Sequence, residues 1–300
     1  MKTPYLLHIF SPTKYVSPFD INMAYEAHYD DVIPYCNVTL DEIHPLTQDT
    51  IFSRSPVGVK RTGIFIGGRD FHLAIDMLEA AKQAMVPPFE VSVLADPSGA
   101  ITTAAAMVAL AERWLQKTDA GDLAGKRVVV LGGTGPVGNC VGLLASRCGA
   151  EAYLVSNRGE AEATAAATLC NTRYGADLRG ADGGQPGALE KLLEDAQVVF
   201  NAARAGVQVI NAAQLASARR LLIAADANAV PPSGIAGIKA KDNGVELATA
   251  GGTTRGLGAL AIGDVKYRVH TGLLERMHTA EKPVYLAHDE AFELARTLVR

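Results

Sequence analysis

The sequence predicts an α/β protein of two α/β domains, the second a doubly wound parallel sheet, with the C-terminal helices folding back on the first. Three observations predict it. The apolar run Val128, Val129, Val130 and Leu131 leads into Gly133, Thr134, Gly135, Pro136, Val137 and Gly138 and then into an apolar-periodic segment, the pattern of strand, tight turn and helix. Short strands and helical segments go on alternating behind it, the rhythm of parallel β-α-β units. The 300 residues, 48% of them hydrophobic, suffice for two cores, and the first third has strands of its own.

In that first third, 5–10, 62–66 and 91–95 are β-rich runs ended by Ser-Pro, Gly-Gly and Asp-Pro breakers. Segment 71–85 reads as an amphipathic helix with Leu73, Met77, Leu78 and Ala81 on one stripe, stopped by Pro87 and Pro88. Strand, helix, strand implies a parallel pair. Thr102 and Thr103 start an alanine-rich helix reaching about residue 116, a spine between domains, and the polar, glycine-bearing stretch 117–125 marks the boundary. The first domain is thus 1–122 plus about 270–300, and the second 123–269. In the second, strands are expected at 128–131, 152–155, 197–200 and 221–225, and helices at 137–148, 160–174 and 188–196. The glycine-rich run 179–187 reads as a surface loop, and helices at about 256–278 and 288–299, with no strand between them, close the chain.

Composition narrows the partners. Twenty-eight basic against 32 acidic residues give a net charge of −4 without long runs of either sign, so no nucleic-acid surface is expected and a small molecule is the better partner. Cys36, Cys140, Cys148 and Cys170 form no metal-ligand spacing and read as reduced core thiols. No run of about 18 apolar residues and no signal peptide is seen, which excludes a membrane partner and points to the cytoplasm.

The glycine turn is specific because of its context: a strand directly precedes it and a helix directly follows. This is the Rossmann-type dinucleotide turn. Gly133 would permit the tight turn, Gly135 the approach of a pyrophosphate, and Gly138 close helix–strand packing, with free N–H groups at the helix start. About 20 residues on, NAD-selective folds place a carboxylate at the end of the second strand. Here Ser156, Asn157 and Arg158 stand there instead, and a guanidinium suits a 2′-phosphate, so NADP is the expected coenzyme with NAD possible. The rival reading of Arg158 is a solvated side chain at a helix start. Ala203 and Asn228 lie just beyond later strands, where they either line the nicotinamide side or pack loops closely.

The seven histidines are scattered, and no GxSxG, HExxH or Cys/His pairing appears. Oxidising a hydroxyl-bearing carbon needs a base for the proton. A hydride leaving an N–CH2–N carbon needs none, because nitrogen lone pairs stabilise the cation and the protein chiefly positions two rings.

Several blocks carry a resemblance: 17–20, 47–54, 62–68, Asp96 to Gly99 with Thr102 and Thr103, the Gly133–Gly138 turn, 228–238, and 258–263 with Lys266. Nearly end to end, the chain resembles the bacterial methylene-tetrahydromethanopterin dehydrogenases, homo-oligomeric enzymes of formaldehyde oxidation in methylotrophs that pass a hydride from a methylene-pterin to NAD(P)+. That resemblance implies a pterin-binding first domain and a pterin in the cleft between domains. It implies that Asp20 holds polar pterin edges, Gly67 and Gly68 allow close ring approach, Asp96, Thr102 and Thr103 line the floor, and Lys266 orients the pterin carbonyl. Asp20 and Lys266 are the catalytic candidates. Asp20 also suits a helix N-cap, and Lys266 a helix surface. Ser156, Asn157 and Arg158 depart from some relatives, so coenzyme choice rests on Arg158. The rivals are a methylene-tetrahydrofolate dehydrogenase and an NADP-sensing Rossmann regulator without chemistry. A bifunctional cyclohydrolase is disfavoured, since none of the nine tyrosines has a lysine four residues later.

Overall fold

Breakers in the sequence fall where the chain turns. The computed structural model describes residues 3–300. In order, β1 (Leu6–Phe10), α1 (Pro18–Glu26), β2 (Asp31–Tyr35), α2 (Ile43–Phe52), α3 (Pro56–Val59), β3 (Thr62–Ile66), α4 (Phe71–Gln83) and β4 (Ser92–Ala95) lead to the long helix α5 (Ala100–Lys117). Then come β5 (Arg127–Leu131), α6 (Pro136–Arg147), β6 (Glu151–Ser156), α7 (Glu160–Tyr174), β7 (Leu178–Asp182), α8 (Ala188–Asp195) and β8 (Val198–Asn201). The chain closes with α9 (Ala212–Ser217), β9 (Ile223–Asp226), β10 (Asn243–Thr249), β11 (Gly252–Leu257), α10 (Ala259–Thr279), β12 (Tyr285–Leu286) and α11 (His288–Val299). Two compact units result, Met1–Thr102 with Tyr267–Leu294 and Thr103–Lys266 with Ala295–Arg300. Among the described residues no helix is long and apolar enough to cross a membrane.

The first unit holds a parallel sheet in the order β12-β4-β3-β1-β2. Every residue of β3 and β4 is buried, as expected for central parallel strands covered on both faces. Phe10, Ile64, Ile66 and Val93 of the sheet pack with Ile43, Ile51, Met77 and Leu78 of the helices. The N-cap of α1 is Ser17, whose hydroxyl accepts from the Phe19 N–H, so Asp20 is not the cap but a buried residue of the first turn. Helix α5 begins at Ala100, before the expected Thr102, because the Asp96 carboxylate accepts from the N–H groups of Ile101 and Thr102. Strand β2 went unpredicted since it is an edge strand carrying Pro34. A strand does separate the closing helices: β12, only two residues long, pairs with β4 and is too short to show a period.

The second unit holds a seven-stranded sheet in the order β10-β11-β9-β8-β5-β6-β7, parallel except for β10 against β11. The β10–β11 hairpin was not expected, and it takes Gly256 and Leu257 out of the closing helix, which starts at Ala259. The run expected as a surface loop begins as a strand, for β7 pairs residue by residue with β6. Its sequence hides this because Leu178 is its one large apolar residue. Gly180 is required there: a Cβ would lie 2.2 Å from the Thr164 nitrogen of α7, so helix and strand meet backbone to backbone. Val129, Leu131, Val155, Leu193 and Val199 centre this core.

Two outcomes test this packing. Gly180→Val is expected to cost about 1–3 kcal/mol by overpacking, read as a lower midpoint in guanidinium with unchanged slope. Burial pushes the Cys170 thiol up to about 11, and burial with Glu112 nearby pushes Cys148 up to about 12, while Cys140 is buried and Cys36 exposed. In the folded protein at pH 8, iodoacetamide should therefore label Cys36 rapidly and the other three slowly, as counted by peptide mass spectrometry.

Candidate functional site

In the second unit, the end of β5 turns into α6 through a backbone cluster with little slack. The left-handed residue is Gly132, at φ +69°, one position before the first glycine of the motif. Gly133 is needed for another reason, since a Cβ would sit 2.7 Å from the Cα of Leu154 and from the nitrogen of Val155 in β6. At Gly138 a Cβ would lie 2.3 Å from the Gly132 carbonyl oxygen. Gly135 differs: its nearest neighbour would be 3.4 Å away, so packing does not demand a glycine there and the face is open. Gly135 caps α6 without a side-chain bond, followed by Pro136 and Val137, both half-buried. This open face at a helix N-terminus suits an anionic diphosphate.

Beside the turn, at the carboxyl ends of β5, β6 and β8, lies a cavity of about 520 Å³ bordered by Gly132, Thr134, Ser156, Asn157, Ala203 and Arg204. Ser156 is buried at the last position of β6, and its Oγ accepts from the Arg158 N–H at 3.1 Å. The Arg158 side chain is 67% exposed and pairs with Glu162 of α7, and its Nη2 lies 3.5 Å from Thr134 Oγ1. Asn157 is exposed. Asn228, 7% exposed, has its side chain committed to backbone: Oδ1 accepts from Gly206 and Val230, and Nδ2 donates to Pro232. Asp226 works the same way, accepting from the Asn201 amide and from the N–H groups of Asn228 and Ile235. Both side chains shape the loops beyond β8 and β9.

In the first unit, a buried polar group sits at the end of β4. Asp96 Oδ1 accepts from Ile101 and Thr102 N–H at 2.9 and 3.2 Å, and Oδ2 accepts from Thr102 Oγ1 at 2.6 Å. Oδ2 also accepts from Nδ1 of His270 at 2.9 Å, both side chains being fully buried. Charge-assisted bonds to one carboxylate make this a stiff knot. The His270 ring is packed by Phe65 and Phe19, and its Nε2 has no hydrogen-bond partner among the described residues. Asp20 belongs to the same neighbourhood, since a Cβ on Gly67 would lie 3.5 Å from its Oδ2 and 3.7 Å from the Phe65 ring. Gly68, at φ +104°, accepts at its carbonyl from the Ser98 hydroxyl at 2.7 Å.

The expected residues Asp20, Gly67, Asp96 and Thr102 are thus brought together in the first unit. Thr103 and Lys266, both half-buried, begin and end the main stretch of the second. Sequence reasoning missed Glu162, Arg204 and His270. A signal for His270 existed, because it follows Lys266 by four residues on α10, which puts both on one helix face.

Comparison with known proteins bears on this arrangement. The family model described as methylene-tetrahydromethanopterin dehydrogenase, N-terminal, matches residues 18–98. The chain is 44% identical over 290 residues, 97% of each chain, to an NAD(P)-dependent methylenetetrahydromethanopterin dehydrogenase of Methylorubrum extorquens. It is 34% identical to the bifunctional protein MdtA of the same organism, over 98% of each chain. In fold it resembles the NAD-dependent malic enzyme of Thermotoga maritima, with TM-score 0.56 at 13% identity, over 97% of this chain and 84% of that one.

If Arg158 meets a 2′-phosphate, Arg158→Ala should raise the KM for NADP+ about tenfold or more, the worth of one charge-assisted bond, and leave the KM for NAD+ little changed. Steady-state kinetics with each coenzyme checks this, and equal KM values for NADP+ in variant and parent would reject the role.

Proposed function

The chain belongs to the family of NAD(P)-dependent methylenetetrahydromethanopterin dehydrogenases, and on that premise we propose that it oxidises methylene-tetrahydromethanopterin to the methenyl form by direct hydride transfer to NADP+, with NAD+ as a second acceptor. The observation that carries the proposal is the open Gly135 face at the start of α6, with Arg158 and Thr134 beside it. The turn fits a dinucleotide, which when bound supplies the hydride acceptor. The α6 N-terminus and Thr134 hold its diphosphate, Ser156 fixes the backbone of Arg158, and Arg158 meets the 2′-phosphate.

The substrate side follows from the first unit. Gly67 and Gly68 keep the end of β3 free of side chains, so a flat ring can lie against backbone. Asp20 holds polar ring edges, and Lys266 orients a ring carbonyl. Asp96, locked by its donors and by His270, sets where α5 starts and therefore where Thr102 and Thr103 stand. No residue needs to remove a proton, because the cation left behind is shared between two nitrogens. The acceleration asked of the protein is positioning. We also propose a homo-oligomer acting in the cytosol in one-carbon metabolism, as the family resemblance implies.

A spectrophotometric assay crossing two pterin carriers with two coenzymes tests the assignment. Methylene-tetrahydromethanopterin with NADP+ should form NADPH, and methylene-tetrahydrofolate should serve far less well. Equal rates with the two carriers would remove the substrate assignment, and no reaction with either would leave a coenzyme-binding regulator.

A further inference from the structure

We propose that Glu162 is a second coenzyme-selecting residue: its carboxylate receives the ribose 2′-OH of NAD+ and yields Arg158 to the 2′-phosphate of NADP+. The proposal deepens the coenzyme reading above and rests on it.

The end of β6 lacks a carboxylate of its own in the sequence, yet the structure supplies one from the first turn of α7. Glu162 is held there by two partners at once. Ser156, 3% exposed, donates its hydroxyl to Glu162 Oε2 at 3.0 Å, and Arg158 pairs with Oε1. The backbone around them is fixed as well. Gly183 donates its N–H to the Ser156 carbonyl at 2.8 Å, and a Cβ on Gly184 would lie 2.4 Å from the Asn157 carbonyl oxygen, so the loop after β7 clamps the end of β6. The carboxylate is therefore held in a preset place one hydrogen bond from Ser156, which with Asn157 borders the cavity.

That place has a chemical consequence. In doubly wound sheets the ribose hydroxyls of the adenosine half lie at the end of the second strand, where an acceptor binds a 2′-OH. Glu162 is such an acceptor. With a 2′-phosphate the requirement inverts: the phosphate needs Arg158 and is repelled by the carboxylate bonded to it. The pair can exchange partners at small cost because Arg158 is exposed and Glu162 half-buried, with side chains 67% and 34% accessible, and an i,i+4 ion pair so solvated is weak. An arginine before α7 and a glutamate in its first turn thus serve both coenzymes, the glutamate selecting against the 2′-phosphate that the arginine favours.

Glu162→Gln removes the charge while keeping size and a hydrogen-bonding group, and Glu162→Ala removes the group altogether. Calorimetric titration of the full-length protein with NAD+ and with NADP+, without any pterin, reads the effect directly. In both variants the Kd for NAD+ should rise about tenfold, the worth of a charge-assisted bond, and that for NADP+ should fall about fivefold as repulsion and competition for Arg158 disappear. A ratio of the two constants that stays within about threefold of the parent in both variants, or that moves toward NAD+, overturns the role of Glu162 while the coenzyme reading stands. A parent protein that takes up neither coenzyme overturns both together.

Discussion

The second unit depends on one constraint: backbone meets backbone between the β5–α6 turn and its neighbours, with no side chain between. Gly133 against Leu154 and Val155, and Gly138 against Gly132, leave less than 3 Å for any added carbon. Because these contacts are already closed, α6 sits as near the sheet as backbone allows, and that approach sets where its first free N–H groups point. Gly135 alone keeps its open side. The turn is therefore preorganised: close packing at two glycines places an unpacked third, and the ligand does not have to order the loop that receives it.

The first unit reaches the same stiffness by the opposite means, through polar bonds and not through contact of bare backbone. Asp96 is fully buried, and a buried carboxylate is tolerable only when its oxygens are occupied. Two N–H groups of α5, the Thr102 hydroxyl and the His270 ring occupy them, so the end of β4, the start of α5 and the middle of α10 are tied to one side chain. Each oxygen has two donors, so the carboxylate stays satisfied only while the elements that carry them hold their places. This explains why an aspartate follows β4, in a place where a packing requirement alone would favour an apolar residue.

What could be read from the sequence follows the distance over which each feature is encoded. The β5–α6 turn was legible because strand, glycines and helix are contiguous, and α7 was legible to the residue because Gly159 and Gly175 bound it. β7 was not, because its key residue is a glycine demanded by the helix lying on it, and β12 was not, because two residues carry no period. The Asp96–His270 pair joins positions 174 residues apart, and Ser156–Glu162 looks like a strand end and an unrelated helix until the turn at Gly159 folds one onto the other. Asn228, singled out for lying beyond a strand, turns out to hold its own loop. Position relative to a strand end located it, but only its hydrogen bonds revealed what its side chain does.

The contrast between the two units bears on how the chemistry is divided. A hydride leaving a carbon between two nitrogens asks for no proton acceptor, so catalytic power must lie in how accurately two rings are held. Each unit answers with a rigid feature at the carboxyl ends of its parallel strands: the close-packed glycine turn in one, the saturated Asp96 carboxylate in the other. Both features are rigid, and the sequence carries no GxSxG, HExxH or Cys/His spacing. On the readings proposed above, the titratable groups that matter are Arg158 and Glu162, paired beside the end of β6, and they choose the ligand while the transfer itself is left to geometry.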